Sequence, residues 1–272
     1  MFTVLLVKSF WGIREPVSAL SHGLATLLSV VVLIVLIRRA RSHRLPRSKH
    51  FGLWAFGVSM MLLYAASTLF HWLQVPESQL VLLNKIDHAG VFLFIAGTMI
   101  AVYSIVECKI EDSGYWVQGA LALATLAGLL NLFVFTAPRW LSTGVYLTLG
   151  WTSSAGIVQI ASTARDGHQL RLFVYGLGIY TVAAVMFVAE WPVIWPGYVE
   201  AHELFHLFVM LGSSLHFRYI YLYCTDDVGH ALRGGGCSVQ RSADDPFVRS
   251  VSDQSIHFPG IRGDSSADNI SR

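Results

Sequence analysis

His202 and His206 stand four residues apart in the string His202-Glu203-Leu204-Phe205-His206. On a helix this spacing puts both imidazoles on one face with Cβ atoms about 5–6 Å apart, a separation suited to one metal ion. The string opens an apolar segment of hydrocarbon length, where an ionisable cluster is costly to keep and marks chemistry rather than solubility. A third ligand has to come from another segment, and His71 is the natural candidate. Zinc held by three imidazoles would keep an open position and lower the pKa of its water from about 15.7 to about 7. Asp87 would accept the water's proton or orient it, since a carboxylate beside a dication costs far less than one alone in lipid. Glu203 points roughly 80° away from the midpoint of the two histidines, at 100° per helical residue. It therefore faces a neighbouring helix or the interface, although the H-E-x-x-H string of zincin peptidases uses this glutamate as the base.

Seven apolar stretches must position these groups, at about 17–37, 51–73, 89–106, 116–135, 141–161, 172–189 and 199–223. Each approaches the roughly 20 residues that a helix needs to cross a hydrocarbon core about 30 Å thick. Helix is the expected spanning state, because the runs lack the alternation of a barrel and lipid cannot satisfy open backbone groups. Pro16 suits the first turn of the opening helix, Pro138 separates segments four and five, and Pro192 and Pro196 separate six and seven. Tryptophans 54, 72, 116, 140, 191 and 195 fall near the ends, as an interfacial belt requires. The expected fold is an all-α integral membrane protein, a seven-transmembrane-helix bundle. It comprises an N-terminal segment (1–16), a membrane domain (17–223) and a disordered tail (224–272).

Antiparallel threading decides which helix ends meet. The starts of segments one, three, five and seven share a leaflet with the ends of two, four and six. His22, His71, Asp87, His88, Asn131, His202 and His206 all fall on that side, whereas the interiors of segments five and six carry no charged residue or histidine. His216, ten residues beyond His206, lies about 15 Å further along the axis and is expected to donate an interhelical hydrogen bond rather than to join the metal.

Composition sets the class. Of 272 residues, 54% are hydrophobic and 13% charged, with mean hydropathy +0.55, whereas a soluble domain carries about 25% charged residues. A net charge of +2 gives no reason to expect a nucleic-acid partner. Membrane lipid is the expected environment and substrate, and the cell membrane the expected location. Cys108, Cys224 and Cys237 have neither metal nor redox spacing. The basic run Arg38, Arg39, Arg41, Arg44, Arg47 and Lys49 is read as filling the first loop, which the positive-inside rule places in the cytoplasm, with the N-terminus outside.

The segments Glu15-Pro-Val-Ser-Ala-Leu-Ser-His22, Tyr64-Ala-Ala-Ser67-Thr-Leu-Phe-His71, Asp87-His88-Ala-Gly-Val-Phe-Leu-Phe-Ile-Ala-Gly97 and His202-Glu-Leu-Phe-His206 occur in that order. With Gly212 and His216-Phe217 they resemble the hemolysin III group of the progestin and adipoQ receptor superfamily. The resemblance covers Glu15 to about Tyr223. It implies zinc held by His71, His202 and His206, Asp87 on the metal's water, and Ser67 behind the ligands. It also implies hydrolysis of a lipid amide, as in ceramide cleavage. Ser18 and Ser21 stand where that group usually has Asn and Thr, and its adiponectin receptor branch has a cytosolic N-terminus, opposite to the loop-charge reading.

The expected function is zinc-dependent hydrolysis of a lipid amide or ester. Its rivals are a receptor or signalling protein with structural zinc, a membrane-lytic hemolysin-like protein, and a zincin peptidase. A lytic pore would need a polar stripe across the bilayer, which segments five and six lack.

Overall fold

A computed structural model describes residues 12–106, 113–134, 138–163 and 170–225. Seven helices follow in order: α1 (Pro16–Ser42), α2 (Arg47–Trp72), α3 (Glu77–Val106), α4 (Ser113–Val134), α5 (Arg139–Thr163), α6 (Leu170–Ala189) and α7 (Ala201–Tyr223). An isolated β-bridge, Trp195 to Val199, lies in the turn that leads into α7. By length and composition α1, α2, α3 and α6 can cross a membrane, and α4 carries a shorter apolar stretch, Gly119–Val134. The expected tail, apart from Cys224 and Thr225, lies outside the described residues, as do Cys108 and Cys237.

Burial in α1 is inverted relative to a water-soluble helix. Its covered positions include Ser18, His22, Ala25 and Ser29, while Leu20, Leu24, Leu27 and Leu28 face outward, Leu27 at 68% exposure. Small and polar groups inside with large apolar groups outside is the pattern lipid selects, because helix packing there gains from close approach rather than from hiding hydrocarbon. Exposed Trp140, Trp191 and Trp195 agree with an interfacial belt.

α2 packs closely on both α1 and α3, α6 packs on α7, and α1 meets α7. The apolar core draws on Leu53, Phe56 and Met60 of α2, Val102 and Tyr103 of α3, and Phe173 of α6. Glycines set the closest approaches. A Cβ on Gly97 would lie 2.1 Å from Ser59 Oγ and 2.6 Å from the Ala55 carbonyl oxygen. Backbone cannot retreat as a flexible side chain can, so Gly97→Ala is expected to destabilise the bundle by about 1–3 kcal/mol. Thermal unfolding in detergent checks this. Gly128 meets Phe92 similarly, whereas Gly150 and Gly178 face open space.

Two boundaries differ from expectation. α3 begins at Glu77, after Pro76, three turns before the predicted start, so Asp87 and His88 lie within the helix instead of preceding it. The polar residues Glu77, Gln79, Asn84 and Lys85 dilute the hydropathy there, but Leu80, Val81, Leu82 and Leu83 continue the helix. The basic run is mostly helical too: the loop between α1 and α2 is only 43–46. Lys49 is buried and donates to the Cys224 carbonyl at 3.1 Å, while Arg39 lies 4.3 Å over the Tyr221 ring, tying the run to the end of α7.

Candidate metal centre

Three imidazoles from two helices converge. His71, at the last turn of α2, is fully buried, and His206, one turn into α7, is 2% exposed. His202 is half-buried beside them. One nitrogen from each lies within 4.8 Å of the other two, and the ring centroids are 4.7–5.0 Å apart. His71 Nε2 and His202 Nε2 are separated by 3.4 Å.

The backbone explains why His71 is available. Glu15 N donates to the His71 carbonyl at 3.0 Å and Arg14 N to the Trp72 carbonyl at 3.2 Å, stitching the N-terminus of α1 to the C-terminus of α2. The Glu15 carboxylate then meets His71 Nδ1. Arg14 bonds both Glu15 and the Phe70 carbonyl, and its guanidinium stacks 4.4 Å over the Phe70 ring. Burial works against the Arg14 charge and lowers its pKa, while the Glu15 and Asp87 carboxylates oppose that shift.

A carboxylate only accepts, so His71 Nδ1 carries the proton and Nε2 keeps the lone pair that a metal needs. A tetrahedral zinc site with Zn–N distances of about 2.0–2.1 Å places two nitrogens about 3.4 Å apart, the separation found between His71 and His202. His206 Nδ1 has no hydrogen-bond partner among the described residues. The donor set therefore fits a divalent transition metal. Glu15→Gln weakens the orienting carboxylate while preserving its shape, and is expected to lower zinc affinity about 10–100-fold. Competition with a chromophoric chelator measures it.

Asp87 and Ser67 open onto one cavity together with His22, His88, His202 and His206. Ser67 is buried, with its hydroxyl beside the Asp87 carboxylate. His22 stacks on His206 with centroids 3.9 Å apart and planes 12° from parallel, and neither of its nitrogens has a hydrogen-bond partner among the described residues. Asn131 departs from the expected cluster: it is exposed on α4, away from the cavity.

Glu203 is committed elsewhere. Its Oε2 accepts from Glu200 N at 3.0 Å, closing the first turn of α7, and its Oε1 accepts from Ser18 Oγ at 3.1 Å. The peptidase alternative, which needs this carboxylate as the base, loses its support. Ser18 thus gains a role as an interhelical donor. Glu15 was the residue missed as part of the site; the signal was a carboxylate directly before the Pro16 that starts a membrane helix.

Haemolysin-III-related proteins match this chain over residues 10–217. It is 30% identical to Hemolysin-3 of Bacillus cereus, over 77% of this chain and 91% of that protein. It is equally similar, at 30%, to a Hemolysin-3 homolog of Bacillus subtilis over 78% of this chain and 94% of the relative. Monocyte to macrophage differentiation factor of Homo sapiens is 24% identical over 65% of this chain and 74% of its own length. The matched span takes in Glu15, His71, Asp87 and both α7 histidines, and the chain is an integral membrane protein of the haemolysin-III-related family.

Proposed function

We propose that this protein is a zinc-dependent hydrolase of a lipid amide or ester. The observation that carries the reading is the cluster of His71, His202 and His206, of which His202 and His206 line a cavity that also holds Asp87 and Ser67. Zinc, when bound, supplies a Lewis acid for a carbonyl oxygen and makes a water molecule acidic. The three imidazoles would hold it, with Glu15 fixing the tautomer of His71.

The rest is the work of the chain's own residues. Asp87 takes a proton from water in the cavity and returns it to the leaving amine or alcohol. Ser67 offers its hydroxyl to Asp87 and sets the direction of the carboxylate. Much of the remaining wall, including Leu63, Phe94, Ile95, Met99 and Val209, is apolar. It holds a hydrocarbon chain and keeps bulk water from the reacting carbonyl.

The test is turnover of long-chain ceramides and lipid esters by purified protein in mixed micelles. Release of fatty acid that a chelator abolishes and added zinc restores is expected. Release that persists after the metal is stripped contradicts the reading.

A further inference from the structure

The same cavity meets a second polar group far from the triad. His216, about 15 Å along the α7 axis beyond His206, and Tyr180 of α6 both line it. His216 Nε2 lies 3.1 Å from the Phe173 carbonyl oxygen, as the expected interhelical bond requires. A carbonyl only accepts, so Nε2 carries the proton and Nδ1 keeps a lone pair. That Nδ1 is buried and has no hydrogen-bond partner among the described residues, and the Tyr180 hydroxyl is in the same condition. Buried polar atoms are ordinarily satisfied, and two orphans on the wall of one cavity point to a bound group that completes them.

Both helices are built to bring these rings together. A Cβ on Gly176 would lie 2.4 Å from His216 Cδ2 and Nε2, and one on Gly212 would lie 2.5 Å from Tyr180 Cε1. With glycine at each position, the two rings meet edge to face at 5.2 Å. Close packing alone would be served equally well by apolar rings.

We propose that His216 and Tyr180 form a second binding subsite, for a hydroxyl group carried along the hydrocarbon chain of a lipid whose head sits at the histidine triad. The chemistry selects the group. His216 Nδ1 requires a donor, and the Tyr180 hydroxyl donates to an oxygen lone pair. A hydroxyl does both. A ketone accepts from Tyr180 but leaves Nδ1 bare, and a methylene satisfies neither. The inference rests on the proposed function only in placing the lipid head at the triad.

The experiment measures binding of octadecanoate and of its mid-chain hydroxy and oxo positional isomers to the zinc-loaded, full-length protein in detergent. One hydroxy isomer is expected to bind about three- to tenfold more tightly than octadecanoate, the worth of one net hydrogen bond, with the matching oxo isomer gaining less. Tyr180→Phe, which removes a single oxygen, and His216→Phe are each expected to abolish that preference, so that each variant binds the hydroxy isomer and octadecanoate alike. Equal affinity for all isomers, as when trapped water satisfies both groups, overturns the subsite. So does a preference that survives either substitution. The zinc dependence of octadecanoate binding is read separately: its absence overturns the placement of the head at the triad, whatever the isomer preference.

Discussion

A His202→Ala/His206→Ala variant is expected to purify without stoichiometric metal, and the unaltered chain to purify with zinc. His71 alone is left in the variant, and a single imidazole cannot compete with chelators for a metal that the intact donor set would hold through three. Each substitution removes a nitrogen from a group whose members lie within 4.8 Å of one another. The helix should survive, because alanine is the best helix former and the first turn of α7 is closed by Glu200 and Glu203, which remain. Elemental analysis of protein that elutes as a single species is the measurement, with circular dichroism to verify helix content. Zinc at full occupancy in the double variant would falsify the metal centre. Glu15→Gln gives the graded version of the same test, since it leaves every ligand in place and alters only the partner of His71 Nδ1.

Much of this site is legible from residue types and threading alone. The i, i+4 pair on α7 needs only helical geometry. His71 follows because antiparallel helices bring the end of the second beside the start of the seventh. Threading puts Asp87 on the side of the α7 histidines, and it lines a cavity with them even though α3 begins three turns earlier than hydropathy indicates. Hydropathy misses those turns because it averages over polar residues, whereas helix continuation depends on the backbone and on the proline that starts it. Glu15 could not be assigned from spacing. Its contact with His71 depends on backbone bonds between chain segments 56 residues apart. The Tyr180 hydroxyl is equally hidden from sequence, because only packing shows which tyrosines find partners: Tyr64 reaches Ser213 at 2.5 Å and Tyr180 reaches none among the described residues.

Asp87→Asn is expected to keep its metal and lose lipid hydrolysis by about 10²–10⁴-fold, the usual worth of a positioned general base. Asparagine matches aspartate in shape, so the packing of α3 beside Ser67 is preserved, but its amide cannot take up a proton near neutral pH. The contrast with Glu203→Gln makes the result specific. Glu203 accepts from Glu200 N and from Ser18 Oγ, so that change should cost stability, on the order of the 0.5–2 kcal/mol of a helix cap, and leave turnover intact. A membrane peptidase would show the reverse, with Glu203→Gln inactive and Asp87→Asn active. A receptor with structural zinc would lose neither metal nor function on Asp87→Asn. Metal content and fatty acid release, measured on the same preparations of both variants, separate the three, because only the lipid hydrolase requires that Asp87→Asn retain the ion while abolishing turnover.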